Sequence, residues 1–139
     1  MADERFLTHF DVSGSALTTE RLRMRLAANN IANINTTRTE AGGPYKRMEA
    51  VVQEKLLNQS PFERGVSVKE VFHDPSPPRL VFNPSHPDAN QDGYVAQPNV
   101  DLLKETVGLK SASMAYQANA MAVESIKKSV EVLIDIGSI

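Results

Sequence analysis

The segment from Asp88 to Gly93 holds the residue types that most resemble a metal site. Oxygen-bearing side chains stand at its first, third and fifth positions as Asp88, Asn90 and Asp92, and Gly93 follows at the sixth. A calcium loop of the EF-hand type begins in this order, because the early oxygen atoms coordinate the ion and the glycine makes the sharp turn.

The second half of this loop lacks what calcium binding requires. Position twelve is Asn99 where a bidentate glutamate is needed, and Pro84 and Pro87 stand where the entering helix would lie. We therefore expect a turn, in which Asn90 and Gly93 supply the special dihedral angles. A soluble calcium-binding interaction module that uses residues 88–99 is the alternative from a different functional class.

The other candidates for chemistry are equally incomplete. His73–Asp74 and Ser85–His86 resemble fragments of hydrolytic sites, but neighbouring residues point in different directions and no nucleophile elbow is present. Gly42–Gly43–Pro44 lacks the lysine and the helix that follow a phosphate-binding loop, so it predicts a turn. We expect no catalytic, cofactor-binding or metal-binding residues and therefore no enzyme.

The overall composition excludes further classes of function. The 139 residues include no cysteine, which excludes thiolate zinc sites, thiol catalysis and disulfides. With 15 basic and 17 acidic residues, the chain lacks the basic stripe of a nucleic-acid-binding protein and the cationic excess of a membrane-surface protein. Its first twenty residues hold five charges and no apolar run, so we expect no cleaved signal peptide and no inserted membrane segment.

The elements that would position any site fall into three parts. Residues 1–35 predict a helix from about Phe10 to Ile34, with Gly14 weakening its first turns and asparagines favouring its end. One large apolar side chain recurs at every seventh position of this helix, at Phe10, Leu17, Met24 and Ile31.

The middle part, residues 36–100, contains all 8 prolines. Proline-rich breakers, Ser60–Pro61 among them, separate three short alternating runs. These runs are Met48–Lys55, Val66–Phe72 and Leu80–Phe82. They predict a small antiparallel sheet or a pair of hairpins with a poor core.

The last part, residues 101–139, predicts a proline-free helix from Asp101 to Ile136 that is about 50 Å long. Asp101 stands where an N-cap belongs. Two heptad positions form its seam: Leu102, Leu109, Tyr116, Val123 and Val130, and three residues later Glu105, Ala112, Asn119, Ile126 and Leu133.

Apolar and small residues also occupy the other faces of this last helix. Val107, Met114 and Met121 form one further stripe. Another consists mostly of small residues: Ala115, Ala118, Ala122, Ser125, Ser129 and Val132. A helix of this kind is normally buried all round, which one partner helix cannot achieve, so we predict that other chains cover it. The alternative is a compact monomer whose middle segment folds over these faces. The predicted subunit-interface residues are Leu17, Met24, Asn30, Ile31, Asn33, Leu109, Ala115, Tyr116, Ala118, Asn119, Ala122, Val123 and Ile126.

Asn30 and Asn33 allow two interpretations. An asparagine in a helical seam is unfavourable unless its hydrogen bonds are made, and for that reason it can fix register and partner across an interface. The same residues could instead mark nothing more than a frayed helix end.

Several segments together carry a resemblance to a known family. Ser15–Leu17, Arg21–Leu22, Asn30–Asn33 and Thr36 resemble the N-terminal signature of the axial proteins of the bacterial flagellum, which include the rod, hook and hook-associated subunits. Further segments, in order along nearly the whole chain, resemble the branch of C-type proximal rod proteins: Gly42–Tyr45, Pro84–Asn90, Gly93–Val95, Pro98–Val100 and Ala115–Asn119. A B-type proximal rod protein is the nearest alternative, against which the run from Pro84 to Asn90 argues.

The resemblance implies both a fold and a role. The fold is mainly α with a small β-rich insert, whose N- and C-terminal helices form a coiled-coil layer in a helical assembly around an export channel. The role is that of a structural subunit of the proximal rod of the flagellar basal body, lying within the periplasm and transmitting motor torque for motility. The implied partners are copies of itself, other proximal and distal rod proteins, the rod-base adaptor, the MS ring and the flagellar type III export apparatus.

Overall fold

The computed structural model describes residues 2–57 and 63–137 of the chain, with side chains from Thr8 onward. Its elements are α1 (Ala2–Ala32), β1 (Met48–Leu56), β2 (Arg64–His73), β3 (Arg79–Phe82), β4 (Tyr94–Gln97) and α2 (Leu102–Gly137). This order confirms the predicted pair of terminal helices around a small β-rich insert. Over the described ranges, neither helix combines the length and apolar character needed to cross a membrane.

The first helix begins at Ala2, earlier than the predicted start at Phe10. A glycine inside a helix is unfavourable by about 1 kcal/mol relative to alanine, and this led us to expect weak turns around Gly14. Contacts on both sides of the glycine offset that loss. Ser13 is buried, and Ser15 Oγ accepts a hydrogen bond from the backbone N–H of Val66 at 3.1 Å.

The insert consists of two separate antiparallel hairpins, which confirms the prediction. Strand β1 pairs with β2, and β3 pairs with β4. The sequence did not predict β4, because its four residues follow directly on a turn that ends at Gly93. The predicted breaker at Ser60–Pro61 lies outside the described residues.

A β-bulge interrupts the first hairpin. The register shifts between Val51 and Val52, so that Lys69 on β2 is the extra residue of the pairing. One extra residue moves the alternation by one position and brings Val71 onto the same face as Val68. The broken alternation of apolar residues in this run therefore follows from the bulge.

The two helices pack along each other, and the end of α1 meets the start of α2, where Asn30 Nδ2 lies 3.1 Å from Glu105 Oε2; they therefore run antiparallel. Asp101 caps α2 as predicted: its Oδ1 accepts the backbone N–H groups of Leu103 at 2.8 Å and Lys104 at 3.1 Å. Among the described elements α2 packs on α1 alone, whereas α1 also packs on β1 and β2.

The core of the described chain is small. Its buried apolar residues are Leu26, Ala27, Val95, Val100 and Ala112. The predicted stripe of Phe10, Leu17, Met24 and Ile31 is only half-buried. The buried face of α1 runs instead through Thr19, Leu26 and Asn30, because α2 and the first hairpin both reach that face.

Candidate functional site

Asn30 lies at the centre of a buried polar cluster formed by Asn30, Tyr45, Arg47 and Glu105. The Asn30 side chain is 1% exposed. Its Nδ2 donates to Met48 O at 2.9 Å and to Glu105 Oε2 at 3.1 Å. Its Oδ1 accepts the Met48 backbone N–H and the Tyr45 hydroxyl, each at 2.9 Å. The two donor protons and two acceptor positions of the carboxamide are therefore all used.

Glu105 and Arg47 form the charged part of the polar cluster. Glu105 is 4% exposed, and its Oε1 accepts from Arg47 Nε at 2.5 Å. Arg47 Nη1 also reaches Glu49 Oε2 at 2.6 Å and lies 3.8 Å from Asp74 Oδ2. A buried carboxylate is tolerated when it is paired and hydrogen-bonded, as Glu105 is here.

The pKa values in the polar cluster reflect this pairing. Burial lowers the pKa of the Arg47 guanidinium, but hydrogen bonds to Glu49 and Glu105 outweigh burial and raise that pKa overall. Burial, aided by the negative charge of Glu105, raises the pKa of the Tyr45 hydroxyl, so Tyr45 keeps the proton that it donates to Asn30.

The prediction that Asn30 bonds across a subunit interface is corrected by this geometry. All of its hydrogen-bonding capacity is occupied within the chain, where it joins the end of α1 to β1 and to α2. Asn33 behaves as a helix-end residue: its Nδ2 donates to Asn29 O at 2.9 Å, and its Oδ1 accepts from Thr36 Oγ1 at 3.1 Å. Neither the interface interpretation nor that of a frayed helix end included hydrogen bonds to other elements of the same chain.

The sequence analysis missed three members of the polar cluster, Tyr45, Arg47 and Glu105. One signal was available for Glu105: it is a carboxylate at a heptad seam position that is otherwise filled by smaller or apolar residues. A carboxylate in a buried seam needs a cation or hydrogen-bond donors as partners, so the search for them could have begun there. Tyr45 and Arg47 stand in a polar segment after a turn and offer no such pattern.

The side of α2 that faces away from α1 carries an uncovered row of apolar and small residues. We call this row the outer stripe; it consists of Leu103, Val107, Met114, Ala118, Met121 and Val132. Its large members are exposed to 74% at Leu103, 61% at Val107 and Met114, 70% at Met121 and 56% at Val132. The alternative of a middle segment that folds over these faces is therefore wrong for the outer stripe. Apolar surface of this extent makes the outer stripe a candidate site of interaction.

Most of the other predicted interface residues lie on the opposite, inner side of α2. Leu109, Tyr116, Asn119, Val123 and Ile126 are half-buried. They share the helix face of Glu105 and Ala112, the two buried residues of the described α2, and thus belong to the seam with α1. Ala115 is half-buried, whereas Ala118 and Ala122 are exposed on the side of the outer stripe.

A groove of about 650 Å³ opens beside the polar cluster, between α1, β1 and the first turns of α2. Leu26 and Ala27 of α1 line it together with Val52 and Val66 of the first hairpin. Gly108 of α2 also lines this groove, and a Cβ added there would meet nothing within 4 Å. The groove is a second uncovered surface of the helix pair.

The segment that resembles a calcium loop forms a turn. Asn90 Oδ1 accepts the backbone N–H groups of Asp92 at 3.0 Å and Tyr94 at 2.8 Å, and Gly93 has a φ of 80°. Asp88 faces away from these groups, accepting from Thr37 Oγ1 at 2.8 Å. Within residues 2–57 and 63–137, no three histidine or acidic side chains come together in a way that could hold a metal ion.

Comparison with known proteins assigns the class of this architecture. The model of a family described as "Flagella basal body rod protein" matches residues 10–38, which span most of α1 and its asparagine-rich end. The matched part of α1 and the Asn30 segment are thus similar to those of flagellar basal-body rod proteins.

Relatives similar over most of the chain specify the family. The flagellar basal-body rod protein FlgC of Borreliella burgdorferi is 38% identical over 84% of this chain and 88% of the relative. FlgC of Bacillus subtilis is 39% identical over 91% and 95%, and that of Escherichia coli O6:H1 is 39% identical over 87% and 90%. The chain belongs to the FlgC family of flagellar basal-body rod proteins, and the B-type alternative finds no support among these relatives.

Proposed function

We propose that the chain is a structural subunit of the proximal rod, which assembles helically with copies of itself and other rod proteins around the export channel. The observation that carries this proposal is the outer stripe of α2. A helix covered on one side by α1 and left apolar on the other is completed by packing against further chains. Membership in the FlgC family supports rod proteins as those further chains.

The exposed side chains of the outer stripe supply the driving force for assembly. Burying one Leu, Val or Met side chain fully contributes about 1.5–3 kcal/mol. Association also orders side chains and removes free motion, so only part of this sum stabilises the rod. Ala118 lies between the two methionines of the stripe and permits a neighbouring helix to come close.

A second exposed apolar surface lies on the β3–β4 hairpin. Leu80 is 61% exposed and Phe82 is 64% exposed, and the Phe82 ring meets that of Tyr94 edge-on with centroids 5.3 Å apart. This surface differs in shape and composition from the outer stripe. Unlike surfaces on one chain favour head-to-tail contacts, which generate a helical filament when the rotation does not close.

The remaining elements of the proposal follow from this role. A continuous lattice of packed helices transmits motor torque through many small contacts, without any catalytic group or cofactor. The periplasm is the compartment of the rod, and the flagellar type III export apparatus is the route by which the subunit reaches it. The rod-base adaptor and the MS ring bound the rod at its lower end.

Substitution of Ala118 tests the proposal directly. In cells whose own FlgC is replaced by the variant, Ala118→Leu is expected to abolish rod completion and swimming while the amount of protein stays normal, because the larger side chain pushes a neighbouring helix away. Ala118→Ser retains a small side chain and should swim normally. Complete rods in electron micrographs of Ala118→Leu basal bodies would show that this face is solvent-exposed in the rod, contrary to the proposal.

A further inference from the structure

The β3–β4 hairpin stands apart from the other elements of the described chain. Its two strands pack on each other, and neither packs on a helix or on the first hairpin. At its base the hairpin continues through residues 98–101 into α2, where Pro98 and Val100 are buried, and Val95 of β4 is 1% exposed. Burial of apolar side chains holds the hairpin close to the chain, but it is non-directional and does not by itself fix an angle.

Asp88, in the turn between β3 and β4, makes a directional contact. Its Oδ2 accepts from Thr37 Oγ1 at 2.8 Å, and its Oδ1 lies 3.8 Å from Arg38 Nη1. Thr37 and Arg38 follow directly on the turn that ends α1. Among the described residues, these are the hydrogen bonds and ion pairs that join residues 79–97 to the rest of the chain. The tip of the hairpin is therefore attached to the end of α1 through one carboxylate.

The turn that carries this carboxylate is firmly joined to the two strands. The Asn83 backbone N–H donates to Gly93 O at 2.9 Å, and that of Asn90 donates to Tyr94 O at 2.8 Å. A Cβ added at Gly93 would lie 2.9 Å from the Phe82 ring, so the turn and the strands are in close contact. A direction fixed at the tip therefore also fixes the direction of β3 and β4.

We propose that Asp88 is a positioning residue, which holds the β3–β4 hairpin at one angle to the helix pair. It thereby presents the exposed Leu80 and Phe82 side chains to a neighbouring rod protein in a fixed direction. This second half of the proposal rests on the proposed function, whereas the positioning itself does not. The proposal also gives a role to the run from Pro84 to Asn90, which the proposed function leaves without one.

The hydrogen bond to Thr37 contributes more to this positioning than the ion pair does. The Arg38 side chain is 81% exposed, and an exposed pair at 3.8 Å is weak because water screens it. The Thr37 bond is short and has a charged acceptor, which makes it stronger than a bond between neutral groups. Asp88→Asn keeps an oxygen that can accept from Thr37 while it removes the charge, so it should preserve most of the positioning.

A distance measured between two spin labels on the full-length monomer tests the positioning. The chain has no cysteine, so Arg25→Cys on an exposed position of α1 and Gln91→Cys in the turn can be labelled specifically. Double electron–electron resonance should then give one narrow distance peak. Asp88→Ala should raise the fraction of molecules outside that peak about tenfold, because a hydrogen bond to a charged acceptor is lost. Thr37→Val removes the donor instead and should have a similar effect, and it serves if Asp88→Ala does not fold.

Asp92→Ala is the matched control. Asp92 lies in the same turn, and there its backbone N–H donates to Asn90 Oδ1 at 3.0 Å, a bond that the substitution retains. The distance peak should therefore stay unchanged in Asp92→Ala and nearly unchanged in Asp88→Asn. Unchanged peaks in both Asp88→Ala and Thr37→Val would overturn the proposal. A lower melting temperature of Asp88→Ala with an unchanged peak would also overturn it, since Asp88 would then stabilise the turn without positioning the hairpin.

The consequence for assembly is measured separately in cells. Asp88→Ala should reduce the number of complete rods in electron micrographs of basal bodies, while Asp92→Ala should leave it normal. Complete rods in Asp88→Ala cells, despite a broadened distance peak of the monomer, would overturn the second half of the proposal and leave the positioning intact. Failure of the proposed function would show itself differently, as complete rods in Ala118→Leu cells.

Discussion

The two long helices share a heptad pattern but differ in what surrounds them. Helix α1 packs against α2 and both strands of the first hairpin, whereas α2 packs on α1 alone among the described elements. As a result, the buried residues of α1 are spread along it from Ser13 to Asn30, while those of the described α2 are Glu105 and Ala112. Periodicity alone therefore shows that a helix has a partner, but not whether the partner is in the same chain.

The largest expected effect concerns the outer stripe of α2. Met114→Glu combined with Met121→Glu should abolish rods and swimming, because it places charges on the apolar surface that the proposed assembly buries. The free energy of unfolding of the monomer should change by no more than about 0.5 kcal/mol, since both side chains are solvent-exposed there. Electron microscopy of basal bodies and urea denaturation of the monomer measure the two quantities.

Met24→Glu on α1 provides the contrast for that prediction. Met24 is half-buried within the chain, so this single change should already destabilise the monomer. If the double variant on α2 lowers monomer stability as much as Met24→Glu does, the distinction between the two helices is wrong.

A second, smaller effect is expected at the polar cluster. Glu105→Ala should lower the free energy of unfolding by about 3 kcal/mol, because it breaks a buried ion pair and leaves one of the two Asn30 amide protons without an acceptor. Arg47→Met combined with Glu105→Met should lower the free energy of unfolding less than Glu105→Ala does, since no cation is then left without its nearest partner. Denaturant titration of the single and double variants gives both free energies of unfolding. A double variant that is less stable than the single variant would contradict the pairing of Arg47 with Glu105.

The smallest effect is expected at the start of α2. Asp101→Ala removes the acceptor of the Leu103 and Lys104 backbone N–H groups, which should lower stability by about 1 kcal/mol. Asp101→Ser keeps a capping oxygen and should restore most of that loss. The melting temperatures of the unaltered chain and the two variants measure this effect. Identical values would show that the Asp101 cap does not stabilise the start of α2.

Much of the fold could be predicted from the sequence, because it depends on local patterns. Proline-free heptads define α2 to within one residue at each end, and the prolines and alternating runs of the middle part indicate hairpins. The start of α1 was placed too late because local propensity at Gly14 was given more weight than the contacts of Ser13 and Ser15.

The polar cluster could not be predicted in the same way. Its members are separated by long stretches of chain and meet only after α1, β1 and α2 have packed together. The asparagine-rich signature pointed to Asn30, but sequence spacing could not show whether its partners belong to the same chain or to another. The outer stripe was predictable because its apolar and small residues recur at helical spacing within one continuous segment of sequence.

The full use of the Asn30 carboxamide has a consequence for how this position can change during evolution. Aspartate matches its size but has no donor for Met48 O, and it would set a second carboxylate against Glu105. Glutamine has the same groups on a side chain one methylene longer, so it cannot place them at the same four positions without shifting its partners. Neither replacement satisfies all four bonds, so a change at this position calls for matching changes in its partners.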